Sequence, residues 1–170
     1  NATSDNGPTW VKMTTFNETN DIVSDISFAP LRLGLLLAAC FENGIIRVYK
    51  SEDITNLSRW SVKFSSHLLP GCSCLSWGDS LLIGSSCIAI GFTCHFSNMD
   101  NKNGSRISSY SKNVDLIQYK ADVESWEKIE TDPIISSLGN VCDLAFSPYT
   151  GRDYHLLAIA ANTLHLYQIF

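Results

Sequence analysis

The stretch DISFAP at residues 25–30 recurs almost letter for letter as DLAFSP at residues 143–148. Each copy is followed by a glycine (Gly34 and Gly151), then by an apolar run, a tight turn and a second, alternating apolar run. A shared order of this length indicates an internal repeat. A repeat constrains the fold of the whole chain more strongly than any single predicted strand or helix does. The chain is therefore interpreted as a series of similar structural units.

A third and weaker copy lies between these two. The segment CLSW at residues 74–77 stands where DISF and DLAF stand, so the spacings between copies are 49 and 69 residues. The longer spacing includes a polar tract at residues 97–113, and removing about twenty residues there would restore a period of about fifty. Repeats of this length that contain several strands are typical of propeller blades.

Each unit contains the signals of four strands. The first strand alternates, as at Ile26, whereas the second is continuously apolar and is therefore expected to be covered on both faces. Asn43 and Gly44 predict a type I′ hairpin turn before the third strand. That third strand alternates again, with Asp115 between apolar neighbours in the second unit, and a short aromatic strand such as the one at Trp60 closes the unit. Helical periodicity is nearly absent, so the predicted fold is all-β and antiparallel.

These units predict a partial β-propeller. A blade of four strands cannot bury both of its apolar faces alone, so neighbouring blades must cover them. A closed propeller takes about four to eight blades, whereas this chain is expected to hold about three and to form part of a ring. The expected boundaries are a polar segment at 1–9, the outer strand of a preceding blade at 10–16, a first blade at 22–66, a second blade at 72–131 with an inserted loop at 97–113, and a third blade at 141–170 without its outer strand.

The composition favours a globular protein that binds neither nucleic acid nor membrane. Apolar residues make up 45% of the chain, charged residues 17%, and the formal net charge is −5 without a cluster of Lys or Arg. A nucleic-acid binder usually presents a basic face, so direct nucleic-acid binding is not expected. No apolar run approaches the roughly eighteen residues of a membrane span, and no signal peptide is expected.

The cysteines and glycosylation sequons are compatible with either a secreted or an intracellular protein. In a secreted chain, six cysteines and four sequons would indicate disulfides and glycans, as in an extracellular adhesion protein. Asn, Ser and Thr are so frequent that about two sequons are expected by chance, and the reduced, intracellular interpretation is favoured. The sequons begin at Asn1, Asn17, Asn56 and Asn103.

One group of residues raises the question of a metal site: Cys72, Cys74, Cys87, Cys94 and His95. Structural zinc sites pair ligands about two to four residues apart on a tight turn, whereas Cys72 and Cys74 have one residue between them. Buried cysteine commonly behaves as a small apolar side chain. We therefore expect these cysteines, together with Cys40 and Cys142, to fill the core, with no metal and no cofactor bound.

No set of residues predicts catalysis. The sequence contains no nucleophile elbow, phosphate-binding loop or EF-hand spacing, and its histidines are scattered. Asp25 and Asp143 open equivalent strands where the middle copy has Cys74, a variation that fits a turn or hydrogen-bonding role. A hydrolase that uses the central channel of a propeller stays an alternative. The four tryptophans are expected in the core rather than on a binding surface: Trp10, Trp60, Trp77 and Trp126.

Seven short segments resemble one WD-repeat family, in order along the chain. The most specific is NLSRWS at residues 56–61, because ordinary WD repeats have no such phrase. The others are WVKMTTF (10–16), FAPLRLGLLLAAC (28–40), NGIIRVY (43–49), SCLSW (73–77), TDP (131–133) and HLLAIA (155–160). The chain thus resembles the middle blades of the Sec-thirteen-homologue nucleoporins. It lacks the GH and WD dipeptides of common WD repeats, with Tyr49, Ile117 and Tyr167 where Trp usually stands.

The resemblance implies a non-enzymatic scaffold that acts through protein contacts. Such a propeller is an open WD-repeat ring that an α-helical scaffold nucleoporin completes with an inserted blade, within the Y-shaped outer-ring complex of the nuclear pore. The implied location is the nuclear envelope, and the implied processes are nucleocytoplasmic transport of protein and mRNA. The family is also shared with a growth-signalling, TORC-regulating complex at the vacuolar or lysosomal surface. No small-molecule substrate is expected, no partner-binding residue is carried over, and the Sec-thirteen propeller of vesicle coats is the alternative within binding proteins.

Overall fold

The computed structural model describes residues 9–17, 20–68, 71–79, 86–93, 113–120, 122–129, 138–148 and 151–170. Within these ranges the regular structure consists of eleven strands and one short 3-10 turn, without an α-helix. The strands form three separate antiparallel sheets. The prediction of an all-β, repeated fold is confirmed.

The first sheet is a meander of four strands. It begins with β1 (Val23–Phe28) and continues through β2 (Leu36–Phe41), β3 (Ile45–Ser51) and β4 (Trp60–His67). Each strand pairs antiparallel with the next one along the chain. A 3-10 turn at Leu31–Leu33 connects the first two strands.

The hairpin between β2 and β3 differs from the predicted type I′ turn. Gly44 has a φ of +87°, but Asn43 lacks the positive φ that the first central position of a type I′ turn requires. The Gly44 N–H donates instead to the carbonyl oxygen of Phe41 at 2.9 Å. The loop therefore has three residues, a type I turn closed by a left-handed glycine, and the Asn43 side chain accepts a hydrogen bond from the N–H of Ile45 at 3.0 Å.

The second sheet repeats the same meander. Its strands are β5 (Cys72–Gly78), β6 (Ser86–Phe92), β7 (Val114–Lys120) and β8 (Ser125–Ile129). They pair in this order, each antiparallel to its neighbour. The insert predicted at 97–113 lies outside the described residues except for its last member, which is buried just before β7.

The third sheet has three strands within the part of the chain that the structure describes. They are β9 (Asp143–Phe146), β10 (His155–Ala160) and β11 (Leu164–Ile169), with β10 in the centre. The first strands of the three sheets lie side by side, with β5 between β1 and β9. The sheets are therefore arranged around a common inner side, as the blades of a propeller are.

Strand β6 shows why the second strand of each unit is apolar throughout. Ile88 and Ile90 point toward the first sheet and pack with Cys40 and Ile46, and all four residues are fully buried. Ala89 points to the opposite side and packs with Leu157 of the third sheet. Since neighbouring sheets cover both faces of β6 from Cys87 to Phe92, a polar side chain at these positions would lose apolar contacts. Ser86, at the start of the strand, is polar, and its hydroxyl is hydrogen-bonded to Arg32 and Asp79.

The sequence predicts the outer strand of a preceding blade at 10–16. Residues 9–17 contain no strand in the structure, because no described strand lies beside them to complete a ladder of hydrogen bonds. The segment instead places the ring of Phe16 against Tyr49, with 4.5 Å between ring centroids, and against Trp60. Trp10 is 95% exposed, so its expected place in a core is wrong.

Candidate functional site: the end faces of the propeller arc

Hydrogen bonds between first strands fix how each blade meets the next. One carboxylate oxygen of Asp25, Oδ1, accepts the N–H of Ile26 in its own strand at 2.8 Å. The other, Oδ2, accepts the N–H of Leu75 in the next sheet at 2.9 Å. The indole N–H of Trp77 donates back to the carbonyl oxygen of Ser27 at 2.9 Å. The hydrogen-bonding role predicted for Asp25 is confirmed, and the bond crosses a blade boundary.

The second boundary uses different residues for the same purpose. The hydroxyl of Ser76 accepts the N–H of Phe146 at 3.0 Å, and the hydroxyl of Ser73 donates to the carbonyl oxygen of Val141 at 2.8 Å. These residues give polar backbone groups at the inner wall a partner in the neighbouring blade. Buried backbone groups need such partners, so the inter-blade bonds specify the alignment of the sheets.

Asp143 occupies the position of Asp25 in the third blade. Its Oδ1 accepts the N–H of Leu144 at 2.8 Å, which reproduces the local bond that Asp25 makes with its own strand. In the described part of the chain no further sheet lies beyond β9. Asp143 is exposed there, whereas Asp25 is half-buried against the second blade.

The arc ends in two apolar faces. The trailing end face is formed by Leu164 and Leu166 of β11, which are 79% and 67% exposed. The equivalent positions of β7 in the second blade, Val114 and Leu116, are buried against the third sheet. Burial of a leucine side chain stabilises a protein by about 1.5–3 kcal/mol, so this face gains free energy when another apolar surface covers it.

The leading end face lies on the other side of the arc. Ile26 and Phe28 of β1 are 57% and 60% exposed. The equivalent residues of the second blade, Leu75 and Trp77, are buried in the core that the first and second sheets share. Inside the arc, two such apolar surfaces pack against each other and form a buried core between blades. Each end face is one of these surfaces without a partner sheet among the described residues.

The tryptophans divide between core and surface. Trp77 is buried, as predicted, and its ring centroid lies 5.6 Å from that of Trp126. Trp126 also contacts the rings of Phe64 and Tyr119, at 5.7 and 5.2 Å. Trp60 is half-buried, with its indole N–H bonded to the carbonyl oxygen of residue 57. The aromatic outer strands therefore join the first and second blades at their outer edge.

Most of the described cysteines are small core residues, as predicted. Cys40, Cys72, Cys74 and Cys87 are buried free thiols, and burial raises the pKa of Cys72 to about 12. Cys142 is exposed just before β9, so its expected burial is wrong. Cys94 and His95, which belong to the group considered above as a metal site, lie outside the described residues. Within the ranges described, no three His, Cys, Asp or Glu side chains are placed to hold a metal ion.

One polar network joins the first and second blades at the end where first strands turn into second strands. The guanidinium of Arg32 pairs with the carboxylate of Asp79 and donates to the hydroxyl of Ser86 at 2.7 Å. Ser86 donates in turn to Asp79 at 3.2 Å. His155 of the third blade lies near this carboxylate, and burial lowers its pKa against the smaller opposing effect of Asp79. A catalytic triad needs serine bonded to histidine, whereas the Ser86 hydroxyl donates to the carboxylate.

The geometry first defines a class of protein. Three antiparallel sheets, aligned through their first strands and open at both ends, form a partial WD-repeat-type β-propeller. No helix in the described ranges is long and apolar enough to cross a membrane.

Comparison with known proteins then identifies what the chain is similar to. Over 161 residues, 94% of this chain, it is 33% identical to nucleoporin SEH1 of Osmerus mordax and of Danio rerio. It is 34% identical to nucleoporin SEH1 of Homo sapiens over the same length. The chain spans about 41% of the length of these curated relatives. The predicted resemblance to the Sec-thirteen-homologue nucleoporins is confirmed.

Two further comparisons complete this result. No protein-family model matches the chain. Among solved structures it is similar to one described as the structure of the Dos1 propeller, with a TM-score of 0.47 and 15% identity. That alignment covers 92% of this chain and 37% of the other.

Proposed function

We propose that this chain forms part of a non-enzymatic scaffold propeller of the nuclear pore, in the Y-shaped outer-ring complex. The observation that carries the proposal is its 33–34% identity to SEH1 nucleoporins over 94% of its length. The mechanism is geometric: blades that share apolar cores and inter-blade hydrogen bonds make a rigid arc, and its end faces and loops hold larger partners at fixed angles. In this role it supports transport of protein and mRNA between nucleus and cytoplasm.

The two end faces support a scaffold that is completed by further blades. Each end face exposes an apolar surface, formed by Leu164 and Leu166 on the trailing side and by Ile26 and Phe28 on the leading side. The equivalent residues inside the arc are buried against a neighbouring sheet. We propose that the boundaries expected from the sequence, with a preceding blade before residue 22 and an outer strand for the third blade, describe part of a ring. An α-helical scaffold nucleoporin is the proposed partner that inserts a blade into that ring.

The proposed location is the nuclear envelope. A second pool at the vacuolar or lysosomal surface, within a TORC-regulating complex, is part of the same proposal because the family resemblance implies both assemblies. The two assemblies would use the same rigid propeller, since neither requires catalysis by this chain.

Affinity purification of the full-length protein tests the proposal. Pore scaffold subunits should be recovered, and subunits of the growth-signalling complex should appear in a separate fraction after size separation. An unrelated propeller carrying the same tag is the matched control and should recover neither set. Recovery of vesicle-coat subunits in place of pore subunits would contradict the nuclear pore assignment and favour the Sec-thirteen coat alternative.

A further inference from the structure

A serine hydroxyl and an arginine guanidinium meet in the loop between β9 and β10 of the third blade. Ser147 follows β9 directly, is half-buried, and precedes the exposed Pro148. Its Oγ accepts a hydrogen bond from Nη2 of Arg152 at 2.7 Å. The proton of this hydroxyl has only a long contact among the described residues, 3.5 Å to the carbonyl oxygen of Pro148. Replacing that proton by another group therefore breaks no strong hydrogen bond.

The first blade shows that the fold of this loop does not require the hydroxyl. Ala29 occupies the position of Ser147 in the repeated sequence. The N–H of Ala29 donates to the carbonyl oxygen of Leu36 at 3.0 Å. The N–H of Ser147 makes the equivalent bond to Leu156 at 2.9 Å. The backbone is thus bonded alike in both blades, and what the serine adds is a nucleophilic oxygen beside an arginine.

That arginine is not neutralised by a carboxylate among the described residues. In the equivalent loop of the first blade, Arg32 pairs with Asp79. Arg152 instead bonds the Ser147 hydroxyl and lies over the ring of Tyr154, with 5.5 Å between Cζ and the ring centroid. The ring contact positions the guanidinium and leaves its charge intact. A guanidinium in this state suits a phosphate, which it can bind through two parallel hydrogen bonds.

The residue after the serine indicates how a phosphate would arrive. Ser147 and Pro148 form the only Ser-Pro or Thr-Pro pair in the 170 residues. Protein kinases of the proline-directed class phosphorylate a serine or threonine that stands directly before proline. The loop thus combines the acceptor oxygen, the following proline and a cation that is placed to hold the product.

We propose that Ser147 is a phosphorylation site of a proline-directed protein kinase and that Arg152 binds the phosphate. In the transfer, Oγ of Ser147 forms a bond to the γ-phosphorus of ATP, and the bond from that phosphorus to the β,γ-bridging oxygen breaks. ADP leaves, and the hydroxyl proton passes to the catalytic base of the kinase. The bond from the Ser147 N–H to Leu156 opens while the kinase holds the segment, which is a local opening of a loop.

The modification reverses the charge of this loop. A phosphoserine carries about −1.5 to −2 charges at neutral pH, so its pair with Arg152 is net negative where the guanidinium alone was positive. The charge-assisted bonds between them fix the loop after it closes. A loop with reversed charge attracts different partner surfaces, so the phosphate would regulate which proteins contact this end of the third blade.

A kinase assay on the full-length protein tests the site. The protein is incubated with ATP and a purified proline-directed kinase, and peptides are analysed by mass spectrometry. The peptide that contains Ser147 should carry phosphate on that residue in most molecules. Ser147→Ala should remove phosphate from this peptide, and the alanine in the first blade shows that the loop accepts this change.

The role of Arg152 is tested with phosphoserine installed at position 147 during translation, which needs no kinase. The second pKa of an exposed phosphoserine is about 6, and a neighbouring guanidinium favours the dianion and lowers it. The ³¹P resonance followed across pH should therefore give a pKa of about 5.5 or lower. Added salt should raise this pKa toward about 6, because it screens the pair.

Two matched variants locate the effect. Arg152→Gln should return the pKa of the phosphate to about 6. Arg59→Gln makes the same change at an exposed arginine in the loop between β3 and β4 and should leave the lowered pKa unchanged. If Arg152→Gln does not fold, the salt dependence measured on the natural sequence still decides.

Three results would overturn the proposal: no phosphate on Ser147 after the kinase reaction, a phosphate pKa of about 6 in the natural sequence, or an unchanged pKa in the Arg152 variant. None of these outcomes bears on recovery of pore subunits, so the two proposals fail separately.

Discussion

The hydrogen bond from Leu75 to Asp25 should be a main determinant of how the first two blades hold together. Replacement of Asp25 by alanine removes the acceptor of this 2.9 Å bond and leaves the N–H of Leu75, a residue only 4% exposed, without a partner. A hydrogen bond to a charged group contributes about 1.5–3 kcal/mol, and an unsatisfied buried donor costs a similar amount. Loss of the local bond to Ile26 is a smaller effect because that bond is exposed. We expect Asp25→Ala to lower the free energy of unfolding by about 2–3 kcal/mol.

Urea unfolding followed by tryptophan fluorescence measures this change. With a slope of about 2 kcal/mol per M, the midpoint should fall by about 1–1.5 M. Asp53→Ala is the matched control, because Asp53 accepts its bonds within an exposed turn, from the N–H and the hydroxyl of Thr55 at 2.8 and 2.6 Å. Because this turn is fully exposed, that control should move the urea midpoint far less than Asp25→Ala does. Equal losses for the two variants would refute the inference that the inter-blade bond stabilises the arc.

Four further changes test other parts of the fold. Gly91→Ala would place a methyl group 2.5 Å from Sγ of Cys74, so overpacking should lower the free energy of unfolding by about 1–3 kcal/mol in thermal denaturation. Trp77→Phe removes the indole donor to the first blade and should cost about 1–2 kcal/mol, whereas an unchanged melting temperature would contradict that role. In native protein a thiol reagent should modify Cys142 within minutes and the buried cysteines only after denaturant is added; fast labelling of all of them would show that the cores open. Burial raises the pKa of Cys72 from 9.0 to about 12, so its contribution to stability is present below pH 9 and should be lost progressively as pH rises from about 9 toward 12, measured by urea midpoints across that range.

Much of the blade pattern could be predicted because it depends on local periodicity. The alternating and continuous apolar runs predicted the strands, and β6 confirms that a run apolar on both faces lies between two sheets. The hairpin at Asn43 was predicted at the right place with the wrong turn type. Its loop has one residue more than the dipeptide signal suggests, and Glu42 takes the first turn position.

Other features could not be predicted because they depend on contacts between distant segments. Trp10 has the sequence of a core strand residue, yet no described strand lies beside it to form a sheet. Cys142 stands one residue before a strand, where exposure depends on how the third sheet meets the second. Asp115 was visible as a charge between apolar neighbours, but its pairing with Lys128 follows from the register of β7 with β8.

The amino-acid sequence by itself determined the all-β repeat, the approximate spacing of the blades and the resemblance to a family of nucleoporins. These follow from residue periodicity and from short motifs, which are properties of neighbouring positions along the chain. Only the tertiary structure decided which polar groups join one blade to the next and which apolar faces stay uncovered. The bonds from Leu75 to Asp25 and from Trp77 to Ser27 connect positions 50 residues apart. Their existence depends on the relative placement of whole sheets, which local periodicity does not encode.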